Sequence, residues 1–176
     1  MKTYKILVSG PFNAGKTTFI RTLCEKYLDT DKPLLNPIGD KTETTVALDF
    51  GVITYNDRKI RLFGTPGQRE FFFMWEILAK GLNGYILMID SGDVEALHEA
   101  EDLYRFFRNM LPEIPHVIAL NKYDKPGFRF GIRETRMALG VPSSIPILKV
   151  DARDYESALN VVKTMIKLIE SRRWRP

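Results

Sequence analysis

The stretch GPFNAGKTT, Gly10 to Thr18, follows the apolar run YKILVSG directly and limits what this chain can become. Its spacing is that of G-x-x-x-x-G-K-[ST]. A strand that ends in such a loop and continues as a helix curls successive backbone N–H groups around an anion. The glycines allow the turn and the close approach. The helix adds the positive end of its dipole at the same point. On this chemistry the loop from Asn13 through Ala14, Gly15, Lys16, Thr17 and Thr18 holds phosphate. The Lys16 ammonium meets the outer phosphates, and the Thr17 hydroxyl is a magnesium ligand. A glycine-rich turn with a solvated lysine would leave the strand–loop–helix placement unexplained.

The rest of the chain repeats that alternation. KIRLFG, GYILMID and HVIALN are short runs, apolar on both faces, as central strands of a covered parallel sheet require. Helix-period stretches run Lys16 to Tyr27, Gln68 to Lys80, Val94 to Met110, Arg129 to Leu139 and Asp154 to Arg172. Alternation of this kind predicts a doubly wound α/β sheet. VALDFGVITYNDRKIRLFG departs from it: two strand-like runs meet at Asn56-Asp57, a hairpin that predicts one antiparallel edge strand. Asp29 to Thr45 has prolines and no period, and reads as a long functional loop.

NKYD, Asn121 to Asp124, stands at the end of HVIAL. An aspartate there accepts both adjacent N–H donors of guanine, while the asparagine and the lysine stem frame the ring. Adenine has no matching donor pair. Ligands of open α/β sheets bind at such strand ends. An ordinary polar turn before Pro126 is the plain alternative.

The 176 residues suffice for one domain, taken as residues 1–176, and the net charge of +4 indicates no nucleic-acid surface. The only cysteine, Cys24, excludes an internal disulfide. No run reaches membrane-span length, Lys2 rules out myristoylation, and SRRWRP has no cysteine to prenylate. A cytoplasmic protein without a stable membrane anchor is expected. His98 and His116, far apart in sequence, are expected to have no metal or catalytic role.

With these residues assembled, the chain resembles the Ras-like small GTPases over essentially its whole length. The resemblance implies a P-loop NTPase fold with a mostly parallel six-stranded sheet and five flanking helices. It implies a nucleotide switch that binds GTP and GDP with Mg2+ and slowly hydrolyses GTP as a monomer. Thr45 in ETTVALDF matches the switch threonine at magnesium and the γ-phosphate. Gly67 and Gln68 in TPGQ match the glycine that reads that phosphate and the glutamine that orients water. VDAR sits where a short loop meets the base, so that the Ala152 amide would donate to guanine O6 with Arg153 beside it. A turn capping the last helix through Asp151 is the other reading.

Gly64 stands where the family carries an aspartate that holds magnesium through water, and Phe12 occupies a position that is ordinarily small. The TPGQ spelling resembles GTPases of the MglA type, which also lack the aspartate and work with roadblock-fold regulators at the switch regions. Asp49 and Thr65 are the two candidate substitutes. Restoring the aspartate by Gly64→Asp is expected to tighten magnesium. In EFFFMWEIL, Phe71, Trp75 and Leu78 share one helical face, and either core or a partner surface accounts for them. The rivals to a switch are a guanine-nucleotide scaffold with negligible turnover and a small-molecule phosphotransferase, which would leave NKYD without a purpose.

Overall fold

Side chains alternate across a strand, so a run apolar at every position needs cover on both faces. In the computed structural model, which describes residues 1–24, 26–29, 49–65 and 72–171, that is what the first strand has. Ile6 and Val8 of β1 (Lys2–Ser9) face one core, and Leu7 faces another. The chain continues through α1 (Lys16–Leu23), β2 (Lys26–Asp29), β3 (Asp49–Tyr55), β4 (Arg58–Gly64), α2 (Phe72–Ala79) and β5 (Gly84–Asp90). It ends with α3 (Val94–Met110), β6 (His116–Asn121), α4 (Ile132–Leu139), β7 (Ile147–Lys149) and α5 (Tyr155–Glu170). Helices α1 and α5 bury Phe19, Ile20, Val162 and Met165 on one face of the sheet. On the other face, α2, α3 and α4 bury Trp75, Leu103, Phe107 and Leu139.

The sheet is mixed and mostly parallel, in the order β2-β3-β4-β1-β5-β6-β7. Antiparallel pairing is confined to one side, where β3 runs against both β2 and β4. The expected hairpin is present, closing on the Tyr55–Arg58 pair. Asn56 and Asp57 adopt φ of 44° and 58°, the doubly left-handed turn that suits a twisted two-residue hairpin.

Seven strands rather than six are found, and the difference lies in α1. The helix pattern runs to Tyr27, but the helix stops at Leu23 and Cys24 turns extended (φ −102°, ψ 122°). Tyr27 then pairs with Gly51 in β3. A Cβ added at Gly51 would overlap the Cys24 thiol, so the glycine makes the space in which the chain turns. Cross-strand pairing overrides a helical pattern this short. The other helices start where polar caps put them: the side chain of Asp93 accepts from the Ala96 amide at 3.0 Å, and that of Asp154 from the Ser157 amide at 2.7 Å.

Trp75 and Leu78 are core, with the Trp75 ring stacked on Phe107 at 5.1 Å and edge-on to Phe106 at 5.2 Å. Phe71 and the side chains of Phe72, Phe73 and Met74 lie outside the described residues, as do Thr45, Gly67, Gln68 and Trp174. No helix among the described residues is long and apolar enough to cross a membrane.

Candidate functional site

Parallel pairing of β1, β5, β6 and β7 brings their C-terminal ends to one edge of the sheet. The loop at Gly10, the turn at Asp90, NKYD and VDAR therefore converge, as the strand-end rule expects.

The phosphate loop is built on three left-handed residues: Gly10 (φ 151°), Asn13 (φ 63°) and Gly15 (φ 100°). A side chain at Gly10 would collide with the Met88 carbonyl, and one at Gly15 with the Asn121 side-chain amide. Gly15 is thus the N-cap of α1 and the point where the phosphate loop touches the NKYD turn. No side chain caps α1, which leaves its first amides for an anion. Lys16 lies buried, its Nζ donating to the carbonyls of Gly10 and Pro11 at 2.7 Å each. Burial pulls its pKa down from the ordinary lysine range to about 8.

Thr17 donates its hydroxyl proton to the Asp49 carboxylate, whose other oxygen accepts from the Tyr27 hydroxyl. Asp49 opens β3 beside Gly64, which closes β4. A Cβ at Gly64 would stand 2.8 Å from the Asp49 Cβ and 3.2 Å from Asp49 Oδ2. The strand that lost its aspartate therefore makes room for a carboxylate from the adjoining strand. The expectation for Gly64→Asp meets an obstacle here: a second carboxylate would crowd the Asp49 and Ile20 side chains and face a like charge. Thr65, the other candidate substitute, is buried, with its hydroxyl on Ser9 Oγ at 3.0 Å and its amide on the Val8 carbonyl at 2.9 Å. It serves the strand end.

No group of three or more His, Cys, Asp and Glu side chains gathers among the described residues. A threonine hydroxyl next to a carboxylate at the mouth of a phosphate cradle fits a hard cation that takes its other ligands from phosphate and water. Mg2+ fits that description.

The base side is a cleft of about 190 Å³ lined by Gly15, Thr18, Asn121, Lys122, Asp124 and Arg153, among others. Asn121 binds its parts together: Nδ2 donates to the Ala14 carbonyl at 2.9 Å, and Oδ1 accepts from the Ala152 amide at 3.0 Å. The Ala152 amide, expected to face guanine O6, donates to Asn121 Oδ1 in this structure. Lys122 adopts φ 63° and donates Nζ to the Asn13 carbonyl at 2.6 Å and to Asp90 Oδ2 at 2.7 Å. Burial works against the Asp90 charge, yet bonds from Lys122 and the Gly92 amide hold its carboxyl below the usual range. Asp124 is exposed and paired with the Arg153 guanidinium, which also meets Asp151 at 2.8 Å.

The sequence reading missed Asp90, Gly92 and Arg129. An acid closing an apolar strand was a usable signal for Asp90; nothing local marked the other two. Phe12 stands exposed on the phosphate loop.

Residues 29–139 match a family model described as a conserved hypothetical ATP binding protein. That stretch contains NKYD and begins beyond the phosphate loop. The chain is 34% identical to the Uncharacterized protein MJ1339 of Methanocaldococcus jannaschii, with 68% of this chain and 70% of that one aligned. It is 29% identical to ADP-ribosylation factor-related protein 1 of Rattus norvegicus, spanning 69% of this chain and 60% of that protein. It is 27% identical to the Mutual gliding-motility protein MglA of Myxococcus xanthus, across 94% of this chain and 89% of that one. The chain belongs to the Ras-like small GTPase superfamily. Membership accounts for the phosphate loop, the NKYD turn and the sheet order together, whereas the phosphotransferase reading accounts for the first alone.

Proposed function

We propose that residues 1–176 form a single G domain that binds GTP and GDP with Mg2+ and slowly hydrolyses GTP as a nucleotide-dependent switch. One observation carries the reading: Asn121 bonds the phosphate loop and the base-side turn at once, so Asp124 and Gly15 stand in fixed relation. A diphosphate on the loop amides thereby aligns its base with the Asp124 carboxylate.

Lys16 supplies positive charge against the outer phosphates. Thr17, whose proton is committed to Asp49, keeps its lone pairs for a cation. Asp49 orients that hydroxyl and takes the part of the missing aspartate. Bound Mg2+ would neutralise charge that builds on the transferred phosphoryl group. By resemblance, Thr45 and Gly67 sense the γ-phosphate and Gln68 orients the water; all three lie outside the described residues. Positioning and charge stabilisation are most of what phosphoryl transfer requires, and unassisted turnover on the order of 10⁻³ s⁻¹ or slower is expected. Regulators at the switch regions, of roadblock or longin fold by the likeness to MglA-type proteins, would raise it. Phe12, exposed on the phosphate loop, favours activation that repositions Gln68 or an internal arginine such as Arg69. Strong rescue of turnover by a partner's own arginine would refute that route. A cytoplasmic monomer completes the reading.

The matching family's description names ATP, and the Asp124 reading requires guanine. Calorimetry of GDP, GTP and ATP, with and without Mg2+, discriminates: guanine nucleotides should bind at least about a hundredfold tighter, since adenine leaves the carboxylate unpaired. Equal affinity for ATP overturns the proposal. Single-turnover hydrolysis compared with Gln68→Leu separates a switch from a scaffold with negligible turnover, the reading that Gly64 and Phe12 otherwise favour.

Asp49→Asn tests the relocated carboxylate. Mg2+ affinity of the nucleotide complex should fall about tenfold to a hundredfold, as when an outer partner of a metal ligand is removed. GDP affinity in chelator should change little. Unaltered Mg2+ dependence would reduce Asp49 to a structural acceptor for Thr17 and Tyr27.

A further inference from the structure

Resting on the guanine-nucleotide reading, we propose that Arg129, seated against Gly92, is a positioning residue that sets discrimination for guanine and the rate of nucleotide release. The Asp124 carboxylate is exposed, so its aim depends on how the backbone around it is held. That backbone is unusual: Lys122, two residues earlier, has a left-handed φ of 63°, uncommon for a residue with a Cβ.

One guanidinium holds the turn on both sides of Asp124. Arg129 donates Nε to the Lys122 carbonyl at 3.0 Å, Nη2 to the Pro126 carbonyl at 3.1 Å and Nη1 to the Phe128 carbonyl at 2.6 Å. The planar fork can satisfy three converging acceptors, which an ammonium cannot span. Its seat is Gly92. An added Cβ there would overlap Nη1 and stand 2.7 Å from Cζ, so the guanidinium lies where any other residue's side chain would begin.

The seat and the turn are bonded to each other elsewhere as well. The Gly92 amide donates to Asp90 Oδ1 at 3.0 Å, and Asp90 Oδ2 takes the Lys122 ammonium at 2.7 Å. The Ser91 amide donates to the Asn121 carbonyl at 3.0 Å, and the Ser91 carbonyl accepts from the Phe130 amide at 2.9 Å. Lys122 is therefore clamped by its ammonium through Asp90 and by its carbonyl through Arg129. Losing the second clamp frees the segment carrying Asp124 while Gly10 to Lys16 stay as they are. The base contacts weaken first, and the phosphate contacts persist.

The test uses Arg129→Gln, Arg129→Lys and Gly92→Ala, the last displacing the guanidinium without removing it. Release of fluorescent GDP is followed with competition by inosine diphosphate, which lacks the amino group that Asp124 would read. Each variant should release GDP about tenfold faster and lose a similar factor of its preference for GDP over inosine diphosphate, the effect of weakening one charge-assisted hydrogen bond. Arg129→Lys keeps charge and stem and guards against loss of folding. A lowered melting temperature with wild-type release and wild-type preference would make Arg129 merely structural and overturn the proposal, as would wild-type behaviour of Arg129→Lys. A wild-type protein indifferent between GDP and inosine diphosphate would instead defeat the guanine-nucleotide reading.

Discussion

Lys16→Met is expected to separate stability from binding: the nucleotide-free protein melts close to wild type, and nucleotide affinity falls by more than about a hundredfold. The lysine is buried, and desolvation draws its pKa from 10.5 to about 8. A base with a lowered folded pKa binds its proton more weakly in the folded state. Stability therefore rises with pH between about 8 and 10.5, and below about 8 the whole penalty is present, roughly 3 kcal/mol. Methionine of similar volume removes it. Against that stand the lost bonds to Gly10 and Pro11, at least about 1.5 kcal/mol each for a charged donor. The two terms nearly cancel, so the melting temperature without nucleotide should change little. The loss of affinity is larger, because an ammonium near a phosphate charge at an effective dielectric of about 20 contributes about 4 kcal/mol. Thermal melts with and without GDP read both effects. A variant that melts far lower without nucleotide would contradict the burial penalty.

Acid should destabilise the protein well before its carboxylates titrate, through His116. Its ring is fully buried at the start of β6, stacked on Tyr85 at 4.6 Å. Nδ1 lies 3.2 Å from the Ile114 carbonyl, which can only accept, so Nδ1 carries the proton and Nε2 accepts from the Tyr104 hydroxyl at 3.2 Å. Burial, with a smaller push from Arg108 that outweighs little of the Ile114 bond, lowers its pKa from 6.5 to about 4. The unfolded state takes up the proton first as pH falls. Stability is thus complete above pH 6.5 and is lost toward about pH 4, by about 3 kcal/mol. That is a large share of a typical domain's 5–15 kcal/mol. Denaturant melts of wild type and His116→Phe between pH 7 and 4.5 isolate the effect as a difference in slope. Parallel curves would exclude His116 as the source.

Where sequence reading succeeded, neighbouring residues carried the information. Val94 to Met110 is helical at the expected bounds because its apolar spacing, Asp93 cap and following Leu111-Pro112 lie within one segment. Asn56-Asp57 predicted the hairpin because two successive residues had to tolerate left-handed φ. The Tyr27 end of α1 was misread because that segment pairs with Gly51, across a stretch of chain whose register no local pattern encodes.

The sequence by itself determined the shape of the two loops at the strand ends. Gly10, Gly15, Lys16, Thr17 and the NKYD run act through conformations and groups only a few residues apart, so spacing alone specifies them. Tertiary structure decided which groups attend those loops. Asp49 reaches Thr17 only because β3 lies beside β4 and Gly64 leaves the room. Asn121 takes the Ala152 amide only because parallel β6 and β7 end together, and Arg129 crosses Gly92 only because the turn after β6 folds back on the end of β5. Such partners meet through strand pairing and steric fit between distant segments, which one-dimensional spacing does not contain.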